Sequence, residues 1–394
     1  MTRKTILRLA AATALLGASA LGTAGLAQQQ APADPTKLLP VPDDYTPKKT
    51  AWGDPDFTGT WPIDNIASIS MSRNDRYGNR FYLTQEELEE RAKQAEGSRA
   101  RYEEEDKQGK IGMGHWVESD VSGSQTAFIV SPADGKLPAL TPSAEARYKT
   151  GRSSWTPNTN YDWVADFDTW DRCVTRGFPA SMFPFRYNNG IRVNQSPGFV
   201  VIDLEMIHDT RIVPVVSKDK WASLQAQRWP ANVRTWMGQS LGYWEDKNTL
   251  VIETTNIKTG DSVAGDGYSR GPSPLNMATL GVPPWNTIPT SEKAKVTERI
   301  TMIGPDSIIY EVTYNDPEVF TQPWTARLPW TRDEEYGFFE YACHEGNVQV
   351  RNYINSSRSE RGLTTSLIGA HDPSERGGEG TETPAGGGAA GGAK

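Results

Sequence analysis

The chain has 394 residues, 37% of them hydrophobic and 23% charged, with 36 Gly, 27 Pro and 13 Trp. That hydrophobic share is low for a globular domain, and the excess of Gly and Pro predicts many turns and long ordered loops. A formal charge of −8 argues against nucleic acid or an anionic membrane surface as partner, because both reward clustered Lys and Arg.

The first 27 residues read as a removable export signal. A basic Met-Thr-Arg-Lys start precedes an apolar stretch from Ile6 to Leu26 and a small-residue stop at Gly25-Leu26-Ala27. Its removal leaves 367 residues and, with Arg3, Lys4 and Arg8 gone, takes the formal charge to −11. No later apolar run reaches bilayer-spanning length, so no integral membrane segment is expected. The expected location is a bacterial periplasm or the exterior. Residues 28–50 hold five prolines and predict an extended leader.

Structure is expected from Trp52 onward, with turn chemistry leading into Gly59-Thr60-Trp61. Thr84-x-x-Glu87 is a capping box, and the Pro-free run behind it predicts a helix over 84–107. Its apolar positions, Leu88, Ala92 and Ala95, are sparse, so it belongs on the surface. Thr141-Pro142 marks a second helix start. Beyond it the pattern turns to strands. Phe199–Val213 alternates as one long strand, 242–255 and 296–315 read as hairpins, and 324–330 and 336–343 supply two further strands. Successive hairpins without βαβ units predict a mainly β protein, a curled or closed antiparallel sheet with a few surface helices. A lipocalin-like barrel fits the Gly-Thr-Trp opening. One β-rich domain over 51–372 is expected, with 84–107 as a helical insertion and 373–394 as a disordered Gly/Ala-rich tail.

Only two cysteines occur, Cys173 and Cys343. An oxidising compartment favours a bridge between them over two separate thiols. The chemistry is sought around three clusters. In a continuous strand, Val200 through His208 to Ile212 share one face, and Asp203, Glu205, Asp209 and Arg211 share the other. His208, Glu205 and Asp209 are therefore candidate proton-moving groups, with Arg211 to hold an anion. A solvated charged face and a satisfied core histidine explain the same pattern. The loop from Asp171 to Gly190 offers Arg172, Arg176, Tyr187 and Asn188 for a polar group of a ligand, or as stacking residues that merely order the loop. Tyr341-Ala-Cys-His-Glu-Gly-Asn347 offers His344 and Glu345, which a Cys173–Cys343 bridge would draw beside Arg172 and Arg176. Trp324 is a candidate for an aromatic lining around an apolar ligand.

His208-Asp209 and His344-Glu345 together form a conceivable metal set, but no closely spaced histidine motif supports it. Neither a Gly-x-Ser-x-Gly elbow nor a phosphate-cradling Gly-rich loop is present. No cofactor and no metal are expected.

Several motifs occur together: Arg172-Cys-Val-Thr-Arg176-Gly-Phe-Pro179, Glu205-Met-Ile-His-Asp-Thr-Arg211, Trp236-Met-Gly, Pro323-Trp-Thr and Tyr341-x-Cys-His-Glu-Gly-Asn347. Over residues 52–350 this combination resembles a large family of exported bacterial proteins of unknown function, numerous in acidobacteria and sphingomonad-type proteobacteria. The resemblance implies export and brings no activity with it. From the residues, the expected function is a periplasmic acid–base enzyme of lyase, isomerase or hydrolase type, acting on a small, partly apolar, aromatic compound. In that reading His208 and His344 move protons, Glu205, Asp209 or Glu345 orient them, and Arg172, Arg176 or Arg211 stabilise developing charge. The alternatives are a non-catalytic carrier of a hydrophobic ligand and a metalloprotein.

Overall fold

Alternating burial along the strands sets the architecture. In β8 (Lys295–Gly304), β9 (Ser307–Asn315) and β10 (Trp324–Thr331) every second side chain is buried, the period that makes one sheet face apolar. A computed structural model of the chain describes residues 31–110, 123–151, 153–154, 159–259, 273–275 and 287–363. The remaining strands are β1 (Gly59–Thr60), β2 (Ile129–Ser131), β3 (Ile191–Ser196), β4 (Phe199–Leu204), β5 (Thr210–Ser217), β6 (Gln239–Trp244) and β7 (Thr249–Thr255). All ten join one sheet in the order β1-β3-β4-β5-β6-β7-β8-β9-β10-β2. The sheet curls into a half-barrel. No pairing closes β1 onto β2 among the described residues, so the curled form of the expectation holds and the closed one does not.

The hairpins over 242–255 and 296–315 form as their turn chemistry predicts. One neighbour pair departs from the antiparallel expectation: β5 and β6 run parallel, with Val215 opposite Gly242. The chain between them carries the short helix α3 (Trp221–Gln225), which supplies the crossover that a parallel pair needs. The concave side is filled by aromatic side chains. Trp61, Trp324, Trp330, Tyr310 and Tyr314 are all fully buried. Tyr310 stacks on Trp330 at 4.7 Å between ring centroids, and Tyr314 on Trp324 at 5.4 Å. Trp324 is therefore a core residue here.

Helix α1 (Gln85–Lys107) starts on the predicted box. Glu87 N donates to Thr84 Oγ1 at 3.3 Å, and Thr84 N donates to Glu87 Oε2 at 2.8 Å. Arg80 forks onto the same carboxylate at 2.6 and 2.9 Å, which pulls the Glu87 carboxyl down to about 2. Only Ala95 of this helix is buried, as its sparse stripe implies. Helix α2 (Pro142–Thr150) begins where Thr141 Oγ1 accepts from Ala144 N. Of the leader, residues 31–50 contain a turn at 34–37 and are docked on the body, with Arg327 donating to Leu39 O at 2.6 Å and Lys247 to Asp44 O at 2.8 Å. The expected export signal and the expected disordered tail over 373–394 lie outside the described residues.

Two strand expectations are corrected. Phe199–Val213 is not one strand but a hairpin. After β4 the chain turns through 206–208, with Ile207 at φ 62° and His208 at φ 56°, and returns as β5. The turn resets the side-chain parity, so Arg211, Val213 and Val215 face the core while Ile212 is 65% exposed. The segment 336–343 is not a strand either. The outer side of β10 is already paired with β2, and the backbone N–H groups of Phe339 and Tyr341 are taken by side chains instead. Past Thr331 the chain leaves the sheet as an arm of loop, the short helix α4 (Cys343–Gly346) and helix α5 (Val348–Glu360).

Candidate active site

The arm crosses the end of the half-barrel and meets the loop 168–190 over the β4–β5 turn. The predicted bridge is the covalent joint: Cys173 and Cys343 are disulfide-bonded, with Cα atoms 5.8 Å apart. Beneath it lies a small apolar cluster of Trp170, Phe185 and Met206, against which Tyr187, Ile207 and Tyr341 pack. This cluster is separate from the main core.

Glu205 anchors the region. Its fully buried carboxylate accepts four hydrogen bonds, two on each oxygen. Asn188 Nδ2 and Phe339 N donate to Oε1 at 2.8 and 3.0 Å; Gly190 N and Tyr336 OH donate to Oε2 at 2.9 and 2.8 Å. Those four fill the acceptor capacity of a carboxylate. Glu205 therefore ties the Asn188–Gly190 turn to the arm and has no lone pair left for a reacting proton. Gly190 permits the approach: a Cβ there would lie 2.7 Å from Glu205 Oε2 and 2.8 Å from Tyr336 Cε1. Asn189 closes the same turn, accepting from Phe185 N at 2.6 Å and donating to Phe185 O at 3.0 Å.

Asp209 and Arg176 form the chemically poised pair. Burial pushes the Asp209 carboxyl up to about 6, against the pull of the Thr175 hydroxyl, Arg176 and the Ser181 hydroxyl. Thr175 Oγ1 donates to Asp209 Oδ2 at 2.7 Å. Arg176 is buried, and desolvation brings its guanidinium down to about 10 although Tyr341, Tyr187 and Asp209 all favour its charge. Its Nη1 donates to Phe183 O at 2.9 Å. The two phenols lean on each other beside this cation: burial raises Tyr187 and raises Tyr341 further, the Tyr187 ring adding to the rise at Tyr341. Arg176, Ser181, Asn188 and Glu205 line a crevice of about 10 Å³, the size of one water site.

The other candidates fall elsewhere. His208 is exposed on the turn, and its Nε2 accepts from Tyr341 N at 3.2 Å, so it holds the arm. His344 and Glu345 are exposed on α4; the groups that face Arg176 are Tyr341, Tyr187 and Asp209. Arg172 is half-buried next to the bridge. Arg211 points into the barrel interior, away from the arm. It forks onto Glu298 at 2.8 and 2.5 Å, donates to Ser240 Oγ at 3.0 Å and stacks over Phe178 at 4.3 Å. Tyr310 OH completes that network on Glu298 at 2.9 Å. The expected single site thus divides into a sealed interior pair and the Asp209–Arg176 group under the arm.

Thr175, Ser181 and Tyr341 join that group without having been singled out as site residues. Thr175 and Tyr341 lie inside the quoted motifs, but only the fold reveals that a hydroxyl and a phenol converge on Asp209 and Arg176. Among the described residues no cluster of three or more His, Cys, Asp or Glu is placed to hold a metal. No model of a known protein family matches the chain, and no curated protein matches it.

Proposed function

We infer that the protein is an exported acid–base enzyme for a small, partly apolar, aromatic compound, with Asp209 as the proton-transferring group. The observation that carries this reading is the meeting of Asp209, Arg176, Tyr187 and Tyr341 at one half-buried point under the arm. A carboxyl near 6 exchanges protons readily at neutral pH. Arg176 and the two phenols supply positive charge and hydroxyl donors where negative charge would develop on a substrate oxygen. The ring cluster of Trp170, Phe185 and Tyr187 gives an aromatic compound a surface to lie on. The adjoining crevice has room for one water, so a substrate enters where Phe339 and Tyr341 of the arm now lie. Export is supported by the disulfide, by the signal-like first 27 residues and by the lack of any described helix able to cross a membrane.

The carrier reading has less support, because the concave side of the sheet is packed with its own aromatic rings. The test is a panel of phenols and aromatic carboxylic acids, with turnover followed by mass spectrometry. Asp209→Asn is expected to lower turnover by about 10²–10⁴ fold with thermal unfolding retained, and His344→Ala to leave it unchanged. A folded Asp209→Asn protein with full turnover would overturn the assignment, as would a panel in which nothing reacts.

A further inference from the structure

Few side chains of the arm are fully buried for its length. Among the described residues after Arg332, only Ile354 and Ser357 are buried. Phe339 is 68% exposed, Tyr353 57% and Val348 51%. Ring contacts join Tyr353 to Tyr161 and Phe167, Phe338 to Arg192 and Tyr341 to the Trp170 cluster, and the polar ties are Glu205 to Tyr336 and Phe339, His208 to Tyr341, Tyr161 N to Ser357 Oγ at 2.9 Å, and Arg361 to Asp162 at 2.6 Å. Exposed ion pairs of that last kind add little. The disulfide adds to these non-covalent ties a single covalent joint between the arm and the body of the protein.

The two sulfurs of that bond are not equivalent. Cys173 is buried at 5% exposure and Cys343 is half-buried. The Asn347 side-chain amide donates to Cys173 Sγ at 3.2 Å and to Asp171 O at 2.8 Å. An N–H aimed at one sulfur stabilises negative charge there and makes that sulfur the better leaving group. Cys173 also sits at φ 58°, in the left-handed region that a residue with a side chain seldom occupies unless held.

We propose that Cys173–Cys343 is a reducible clamp, opened by a dithiol that attacks the Cys343 sulfur and expels Cys173 as the thiolate bound by Asn347. The incoming thiolate forms a mixed disulfide with Cys343, and the Cys173–Cys343 bond breaks. The second thiol of the reductant then attacks its own partner sulfur and releases Cys343 as a thiolate. Two electrons pass from the dithiol, which becomes a disulfide, and both protein thiolates take up protons according to their surroundings. The partner is thus a protein or small molecule carrying a vicinal dithiol. Opening frees the arm and uncovers Arg176, Tyr187 and Asp209; only this last consequence rests on the acid–base reading.

Glutathione, a monothiol, traps the intermediate on the folded full-length protein. Peptide mapping after alkylation with iodoacetamide is expected to find glutathione on Cys343 and the alkyl group on Cys173, by about tenfold or more. Glutathione mainly on Cys173, or shared evenly, overturns the proposal. Asn347→Asp is expected to slow opening by dithiothreitol about fivefold, since it replaces the donor with a carboxylate; an unchanged rate removes Asn347 from the mechanism. Limited trypsin digestion is the third readout. The reduced protein is expected to be cut at Arg332 and Arg351 about tenfold faster than the oxidised one, with the sheet intact. Equal rates, or digestion of the whole chain, would show that the bridge does not act on the arm. None of these readouts uses turnover, so they stand whether or not Asp209 proves catalytic.

Discussion

Two buried arginines, Arg211 and Arg176, sit in environments that treat the same cation in opposite ways. Arg211 meets Glu298 fork to fork inside the half-barrel, and the neighbouring carboxylate offsets the burial penalty, so its guanidinium is held above its ordinary value. Arg176 has Asp209 and two phenols nearby, and burial prevails, bringing it down to about 10. A cation with a full bidentate partner, sealed from solvent, is a packing element. One that is buried beside a partly exposed carboxyl and two partly exposed phenols, with burial outweighing their pull, is a candidate for chemistry. The contrast separates two residue sets that the sequence presents side by side, since Asp209 and Arg211 are two positions apart.

Breaking the interior pair should have the largest effect. Arg211→Ala is expected to cost about 3–5 kcal/mol in urea unfolding, because Glu298 is left as a buried, unpaired carboxylate. The Arg211→Met, Glu298→Leu double variant should lose much less; equal losses would mean that the two residues are not a coupled unit. Next comes Glu205→Ala, at about 2–4 kcal/mol, because four donors lose their acceptor at once. Two of those donors belong to the arm, so proteolysis after Arg332 should rise in parallel. Gly190→Ala should show the same arm release by placing a methyl against Glu205 and Tyr336.

The pH dependence probes the other side of the comparison. Burial raises Asp209 to about 6 and Asp171 to about 7, with Asp168 adding to the rise at Asp171. In the unfolded chain both carboxyls lose their protons near 4, while the folded protein holds them longer. The contribution of these two groups to stability therefore falls as pH rises from about 4 to about 7 and levels off above that. Asp209→Asn should remove its share and raise stability at pH 7.5 by about 1–2 kcal/mol, read by thermal or urea unfolding. A decrease would mean that the carboxylate itself is stabilising. The smallest effect is expected at Thr84→Ala, about 1 kcal/mol from the lost cap, with the arm's trypsin sensitivity unchanged.

Local chemistry made much of this molecule readable. The capping box at Thr84, the Thr141-Pro142 start and the hairpin turns at 246–249 and 304–306 act through neighbours in sequence, and each forms as its residues imply. The two-cysteine count in an export context leads to the bridge. What stayed hidden depends on distant partners. Nothing near Arg211 announces Glu298, and the left-handed pair Ile207–His208 carries no glycine to signal a turn. Read as a continuous strand, that segment puts His208 on the core face, whereas the turn carries it outward. Residues 336–343 look like a strand because they are aromatic, yet their amides answer to Glu205 and His208 rather than to a ladder.

The sheet's margins carry a further consequence. Its outermost strands are only two and three residues long, Gly59–Thr60 and Ile129–Ser131. Next to the first, the amide of Gln195 occupies the backbone of the preceding segment, accepting from Phe57 N at 2.6 Å and donating to Pro55 O at 3.0 Å. Among the described residues each margin of the sheet thus ends in a short strand, which offers a second copy few peptide groups of its own to pair with. Concentrated solutions of the protein should resist edge-to-edge stacking into fibres, even though ten strands lie in a single layer.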